Sequence, residues 1–162
     1  ILQRTLSYSL SKRKSWVVIH KVVYLHMQLH TRSLVEGDYS DTLVPWWTSH
    51  DFTPPVQDFL PDNGKGGIIV YEGETPVCAG FLYETNSAVA WSEWVISDKE
   101  YRNSKGRKAC ISLLLNRLEE MAIDKGFRYI FANNNNKFLV EHYKTNGYSV
   151  GCTDSIELIK II

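Results

Sequence analysis

The chain has 162 residues, 44% of them apolar and 22% charged, with 18 basic side chains balanced by 18 acidic ones. That length lets one domain bury its own core without metals or disulfides, and the composition excludes intrinsic disorder. A formal net charge of zero argues against the electrostatic footprint of nucleic-acid binding. Three cysteines at irregular spacing are too few for a disulfide framework or a zinc site, which points to reduced thiols in a cytoplasm.

Residues 1 to 26 hold five basic residues (Arg4, Lys12, Arg13, Lys14, Lys21) and no acid, leaving 13 basic and 18 acidic residues in the remainder. Their apolar run SWVVIHKVVYL is interrupted by His20 and Lys21, has no small-residue cleavage site after it and is too short to span a membrane. The first residue is Ile, and Met27 opens a stretch, MQLHTRSLVEGDY, that reads as a natural start. Residues 1–26 are therefore expected to be an appendage from upstream translation, or else an added strand or helix, ahead of a domain spanning 27–162. A short strand is expected over 29–35 and a helical stretch over 39–47. Pro45, Pro54, Pro55 and Pro61 then punctuate an irregular region with at most short helices.

Three apolar runs follow, over 67–71, 77–83 and 88–97. Gly73 with Thr75-Pro76, then Asn86-Ser87, mark reversals between them, so the runs read as an antiparallel meander. After Gly106 the apolar residues Ile111, Leu114, Leu115, Leu118, Met121 and Ala122 recur at spacings of three and four, predicting a long helix that ends at Gly126. Residues 127–132 (FRYIFA) read as a short buried strand. Asn136 is placed to cap a second helix over 137–146, closed by Gly147, and a last strand is expected over about 156–162.

Strand, basic turn, long helix and strand make one unit between residues 88 and 132. The opening of a helix presents unpaired N–H groups and partial positive charge, so this turn suits a pyrophosphate, with Arg102, Lys105, Arg107 and Lys108 adding formal charge. A solvated basic loop is the competing reading. Of the five histidines, His20, His26, His30 and His142 lack metal-ligand spacing, so no metal is expected, and His142 is expected to face solvent. Cys110 falls on the long helix and reads as inert core.

The order of elements, with two segments in particular, resembles the GNAT superfamily of N-acyltransferases over residues 29–162. One segment is Tyr101-Arg102-Asn103-Ser104-Lys105-Gly106-Arg107-Lys108-Ala109, similar to the family's phosphate signature, although Gly106 lies one residue late and the second small position falls on Lys108 or, with a shift, Ala109. The other is Asn136-Lys-Phe-Leu-Val-Glu-His-Tyr143-Lys-Thr-Asn-Gly147-Tyr148, whose anchors all stand at the family spacing. LVPWWTSHDF also resembles GNAT-like proteins encoded by bacteriophages.

The resemblance implies a mixed α/β fold, a twisted sheet of six to seven strands with flanking helices, antiparallel at its start and parallel where two strands splay. It implies acetyl-CoA as donor, wedged between the strands at 88–97 and 127–132, with Val95, Arg102, Ser104, Lys105, Gly106, Arg107, Lys108, Ala109 and Asn136 in its binding site. The reaction implied is direct transfer to a small-molecule or protein amine without a covalent enzyme intermediate. An amine attacking a thioester must lose a proton from an ammonium of pKa about 10, while the departing thiolate must gain one. Tyr143 resembles the family's general acid, or it is a core aromatic pairing with Leu139 four residues earlier. Glu93 resembles the family's base, or it is a strand carboxylate in a cross-strand pair. Trp46, Trp47, His50 and Phe52 fall where relatives shape the acceptor pocket, or they are packing. Dimers are frequent among relatives, which leaves a homodimer open without fixing the oligomeric state, and no membrane or nucleic-acid partner is expected. A catalytically silent acyl-CoA-binding module and a host-directed phage interaction protein are the alternatives.

Overall fold

In the computed structural model, which describes residues 28–101, 104–154, 156 and 158–160, the apolar runs pair in chain order into one sheet. Strands β1 (Leu29–Ser33), β2 (Gly67–Glu72), β3 (Thr75–Tyr83) and β4 (Val89–Ser97) are antiparallel neighbours, and β5 (Tyr129–Phe131) lies parallel to β4. The expected appendage at residues 1–26 lies outside the described residues. Among those described, no helix is long and apolar enough to cross a membrane.

Successive residues of β2 and β3 point to opposite faces, and both faces are covered, so these strands read as continuous rather than alternating apolar runs. Val70, Cys78 and Leu82 pack beneath α2 (Ser104–Asp124) and α3 (Lys137–Thr145), against Leu114 and Leu118. Ile69, Ala79 and Phe81 pack on the other face against Leu43, Trp46 and Trp47, which come from a π-helical turn (Tyr39–Leu43) running into α1 (Val44–Ser49). Between β2 and β3 the backbones approach so closely that a Cβ at Gly67 would lie 2.3 Å from the carbonyl oxygen of Gly80. Only glycine fits there.

The α1 layer is tied to the sheet edge through an ion pair. Arg32 donates to both carboxylate oxygens of Asp38, at 2.6 and 2.8 Å, and to the Tyr71 hydroxyl at 2.6 Å, while Asp38 also accepts from the Val35 amide at 2.7 Å. Hydrogen bonding from Arg32 holds the Asp38 carboxyl below the usual carboxylate range, despite an opposing cost of burial. This clamp fixes where the chain turns into the tryptophan-bearing helix.

α3 begins as its sequence dictates. The Asn136 side-chain oxygen accepts from the amides of Phe138 and Leu139, at 3.0 and 3.2 Å, satisfying two donors that a helix start leaves open. Asn136→Ala is expected to lower unfolding free energy by about 1 kcal/mol in urea titration, and no change at all would show the cap to be dispensable.

Three expectations are corrected. Among the described residues the sheet has five strands rather than six or seven, because those at 156 and 158–160 are irregular, with Ile156 and Leu158 at 85% and 88% exposure. β5 is three residues long and half-exposed at Tyr129 and Phe131, not buried, so it offers a following strand only a short ladder. Helix α2 starts at Ser104, ahead of Gly106, which lies buried in its first turn.

Candidate active site

A bulge in β4 organises the site. Tyr83, Leu82 and Phe81 face Trp91, Ser92 and Glu93, but Ala79 and Cys78 face Ile96 and Ser97, so two residues of β4, Trp94 and Val95, stand opposite Gly80. Trp94, the first of the two, is in the left-handed region (φ 54°), one of the conformations by which a strand takes up an extra residue. The extra residue exchanges the faces: Ala90 belongs to the core under α2 before the bulge and Val95 after it, while Trp94 and Ile96 join the core around α1.

β4 and β5 pair at only three positions, Val89 with Tyr129, Ala90 with Ile130 and Trp91 with Phe131. β5 then ends and the chain departs toward α3, whereas β4 runs on to Ser97. Pairing therefore stops at Trp91 and Phe131, and Val95, Leu113, Asn116, Ala132, Asn136 and Tyr143 are among the residues lining a large cavity beyond it.

Tyr143 reaches from α3 into this gap beyond the paired residues. It is 6% exposed, its hydroxyl lies 3.2 Å from the Ser92 Oγ, and its ring meets Tyr148 edge-on at 4.8 Å. Burial pushes its phenol up to about 12, with the nearby Glu93 charge adding to the rise and the Ser92 hydrogen bond opposing it. Glu93 follows Ser92 on the opposite face of the strand, and its Oε1 accepts from the Asn133 amide at 2.9 Å, across the mouth of the gap. The two candidate proton-transfer groups thus flank one opening from its two sides.

At the start of α2, Lys105 and Lys108 are exposed and Ala109 is half-buried. Arg107 is engaged elsewhere: its guanidinium donates to the carbonyls of Asp98 (2.7 Å) and Tyr101 and lies over the Tyr101 ring, holding down the loop between β4 and the helix. Arg102 lies outside the described residues, as does the side chain of Ser104. His142 is half-buried rather than facing solvent, and burial, then the charge of Lys108, lowers its pKa. Cys110 is fully buried, and burial pushes its thiol up to about 12, in keeping with inert core.

Of the four residues expected on the acceptor side, Trp46 and Trp47 are buried at 7% and 2%, so packing accounts for both. Trp47 nevertheless supports Trp94 edge-on at 6.2 Å. The His50 Nε2 lies 2.9 Å from the Ser97 carbonyl, and its ring stacks on exposed Phe52 at 5.8 Å. Sequence reasoning missed Ser92, Phe59, Tyr83, Trp91 and Trp94. A small polar residue inside an apolar strand was a usable signal for Ser92; the Trp94 bulge left none, because it depends on pairing with β3.

No protein-family model matches the chain, and no curated protein sequence does. Solved structures do match in fold. An aminoglycoside acetyltransferase from an uncultured soil metagenomic sample superposes with a TM-score of 0.58 at 13% identity, over 82% of this chain and 96% of its own. Glucosamine-6-phosphate N-acetyltransferase from Arabidopsis thaliana gives 0.55 at 14% identity, over 82% and 97%. N-acetylglutamate synthase from Neisseria gonorrhoeae, complexed with coenzyme A and L-arginine, gives 0.61 at 13% identity, over 80% of this chain and 29% of the synthase. The fold is that of the GNAT acetyltransferases.

Proposed function

We propose that the protein is an N-acetyltransferase that moves an acetyl group from acetyl-CoA to a primary amine by direct transfer in a ternary complex. The observation that carries this reading is the short parallel ladder of β4 and β5, ending at Trp91 and Phe131 beside a buried phenol and a carboxylate on opposite faces of β4. The residues present fit the donor. The first turn of α2, which opens at Ser104, with exposed Lys105 and Lys108 and with Gly106 and Ala109, suits a pyrophosphate. Arg107 acts by shaping that turn through its carbonyl contacts. The edge of β4 beyond Trp91 and the amide side chain of Asn136 suit a pantetheine arm, and an amide near Val95 suits the thioester carbonyl.

Acetyl-CoA supplies an activated acyl group and a thiolate leaving group. Glu93, directly or through water, accepts the proton that frees the amine lone pair. The C–N bond forms and the C–S bond breaks while Tyr143 gives its proton to sulfur. The second proton of the nitrogen replaces it, so the net products are amide, thiol and one proton. A phenol raised to about 12 is fully protonated at neutral pH, as an acid must be. His50 and exposed Phe52, beside the end of β4 at Ser97, are the residues left to meet an acceptor, while Trp47 packs behind Trp94.

Calorimetric titration with acetyl-CoA, followed by thiol release against a panel of amines, tests the reading. Micromolar binding is expected in wild type and in Glu93→Gln alike, because glutamine still accepts from the Asn133 amide, with turnover in the variant down at least about tenfold. Unchanged turnover would remove Glu93 as base. Binding without turnover would favour a catalytically silent module, for which Lys108 in a small-residue position is the supporting feature, and absence of binding would favour an interaction protein.

A further inference from the structure

Among the described residues, the buried polar or charged side chains are Asp38, Ser92 and Ser112. Asp38 is held by Arg32, and Ser112 accepts from the Asn146 side-chain amide at 3.3 Å. Ser92 is 0% exposed in the middle of β4, opposite buried Leu82 and two residues after Ala90 in the core beneath α2. Alanine there would simply complete that core. A hydroxyl instead carries a desolvation cost that only a hydrogen bond offsets, and the group it meets is the Tyr143 hydroxyl, 3.2 Å away.

Ser92 is also the first residue of β4 beyond the last pair of its ladder with β5, Trp91 with Phe131. Its carbonyl oxygen lies 3.4 Å from the same phenol, so both oxygens of Ser92 address one hydroxyl. That hydroxyl has a single proton, and at 6% exposure a phenolate formed there has little water to solvate it. Resting on the transferase reading above, we propose that Ser92 is the positioning residue for the acid: its hydroxyl donates to the Tyr143 oxygen, leaves the phenol proton free for sulfur, and holds the phenolate once that proton has passed. In this step the tyrosine O–H bond breaks and an S–H bond forms. Negative charge moves from thiolate to phenolate, and Ser92 keeps its own proton. Burial pushes the Tyr143 phenol up to about 12, whereas an ordinary thiol titrates near ~8.5, so the transfer runs uphill. The Ser92 hydrogen bond pulls the phenol down and eases it.

The test follows thiol release from acetyl-CoA with whichever of phenethylamine, spermidine, glucosamine 6-phosphate and kanamycin is turned over fastest, in wild type, Ser92→Ala, Tyr143→Phe and the double variant. Ser92→Ala is expected to lower kcat about tenfold or more, with the KM of the amine and the calorimetric affinity for acetyl-CoA unchanged. In the Tyr143→Phe background the same substitution should alter the residual kcat by less than about twofold, because no phenolate is left to hold. A role in strand geometry alone would instead show the tenfold loss in both backgrounds. That result, an unaltered kcat in Ser92→Ala, or a loss carried by donor affinity would each overturn the assignment while leaving the transferase reading intact. Failure of acetyl-CoA to bind, or bound donor with no turnover of any of the four amines, would sink that reading and this one with it.

Discussion

Replacing Tyr143 with phenylalanine is expected to lower kcat by about a hundredfold or more, with donor affinity essentially unaltered. The proposed role is proton donation to sulfur, which matters only as the C–S bond breaks, so the loss falls on kcat rather than on binding. Fold integrity is retained: the substitution keeps the ring against Tyr148 and removes the hydroxyl's contacts to the Ser92 Oγ (3.2 Å) and carbonyl oxygen (3.4 Å), costing about 1 kcal/mol. Because burial raises the phenol to about 12, no decline in wild-type activity attributable to this group is expected until pH approaches that value. Steady-state thiol release across pH, paired with acetyl-CoA titration of the variant, checks both statements. A variant with wild-type kcat would end the assignment of Tyr143 as acid.

The largest effect on stability is expected at Phe81. It is fully buried at the centre of the core shared with Leu43, Trp46 and Trp47, and it faces Glu93 across the β3–β4 ladder. Phe81→Ala removes the ring and leaves a cavity that the tryptophans cannot fill, at a cost of about 3–5 kcal/mol. Urea denaturation followed by intrinsic fluorescence measures it, with Phe52→Ala, at 57% exposure, expected within about 0.5 kcal/mol of wild type. A loss no larger than the Phe52 control would mean that the α1 layer is not packed on the sheet. Partial loss of packing should also disturb Glu93 before the chain unfolds, because its position depends on the same pair of strands.

By itself the sequence determined the elements whose causes are local. The meander follows from apolar runs between turn residues, α2 from apolar spacings of three and four, and α3 from the Asn136 cap and Gly147 stop, all of which act within a few residues. Tyr143 and Glu93 were legible as candidates through the resemblance to the GNAT family, whose acid and base they match in place. Tertiary structure alone decided the rest. The bulge at Trp94 exists only because β4 must pair with β3 on both sides of Gly80, and it decides which side chains face the gap. The end of pairing at Trp91 and Phe131, the use of Arg107 on loop carbonyls and the burial of Trp46 and Trp47 likewise depend on partners distant in the chain. So does the absence of strand structure at the described residues between 156 and 160: apolar residues there favour a strand, but a ladder forms only where a neighbour of sufficient length is offered.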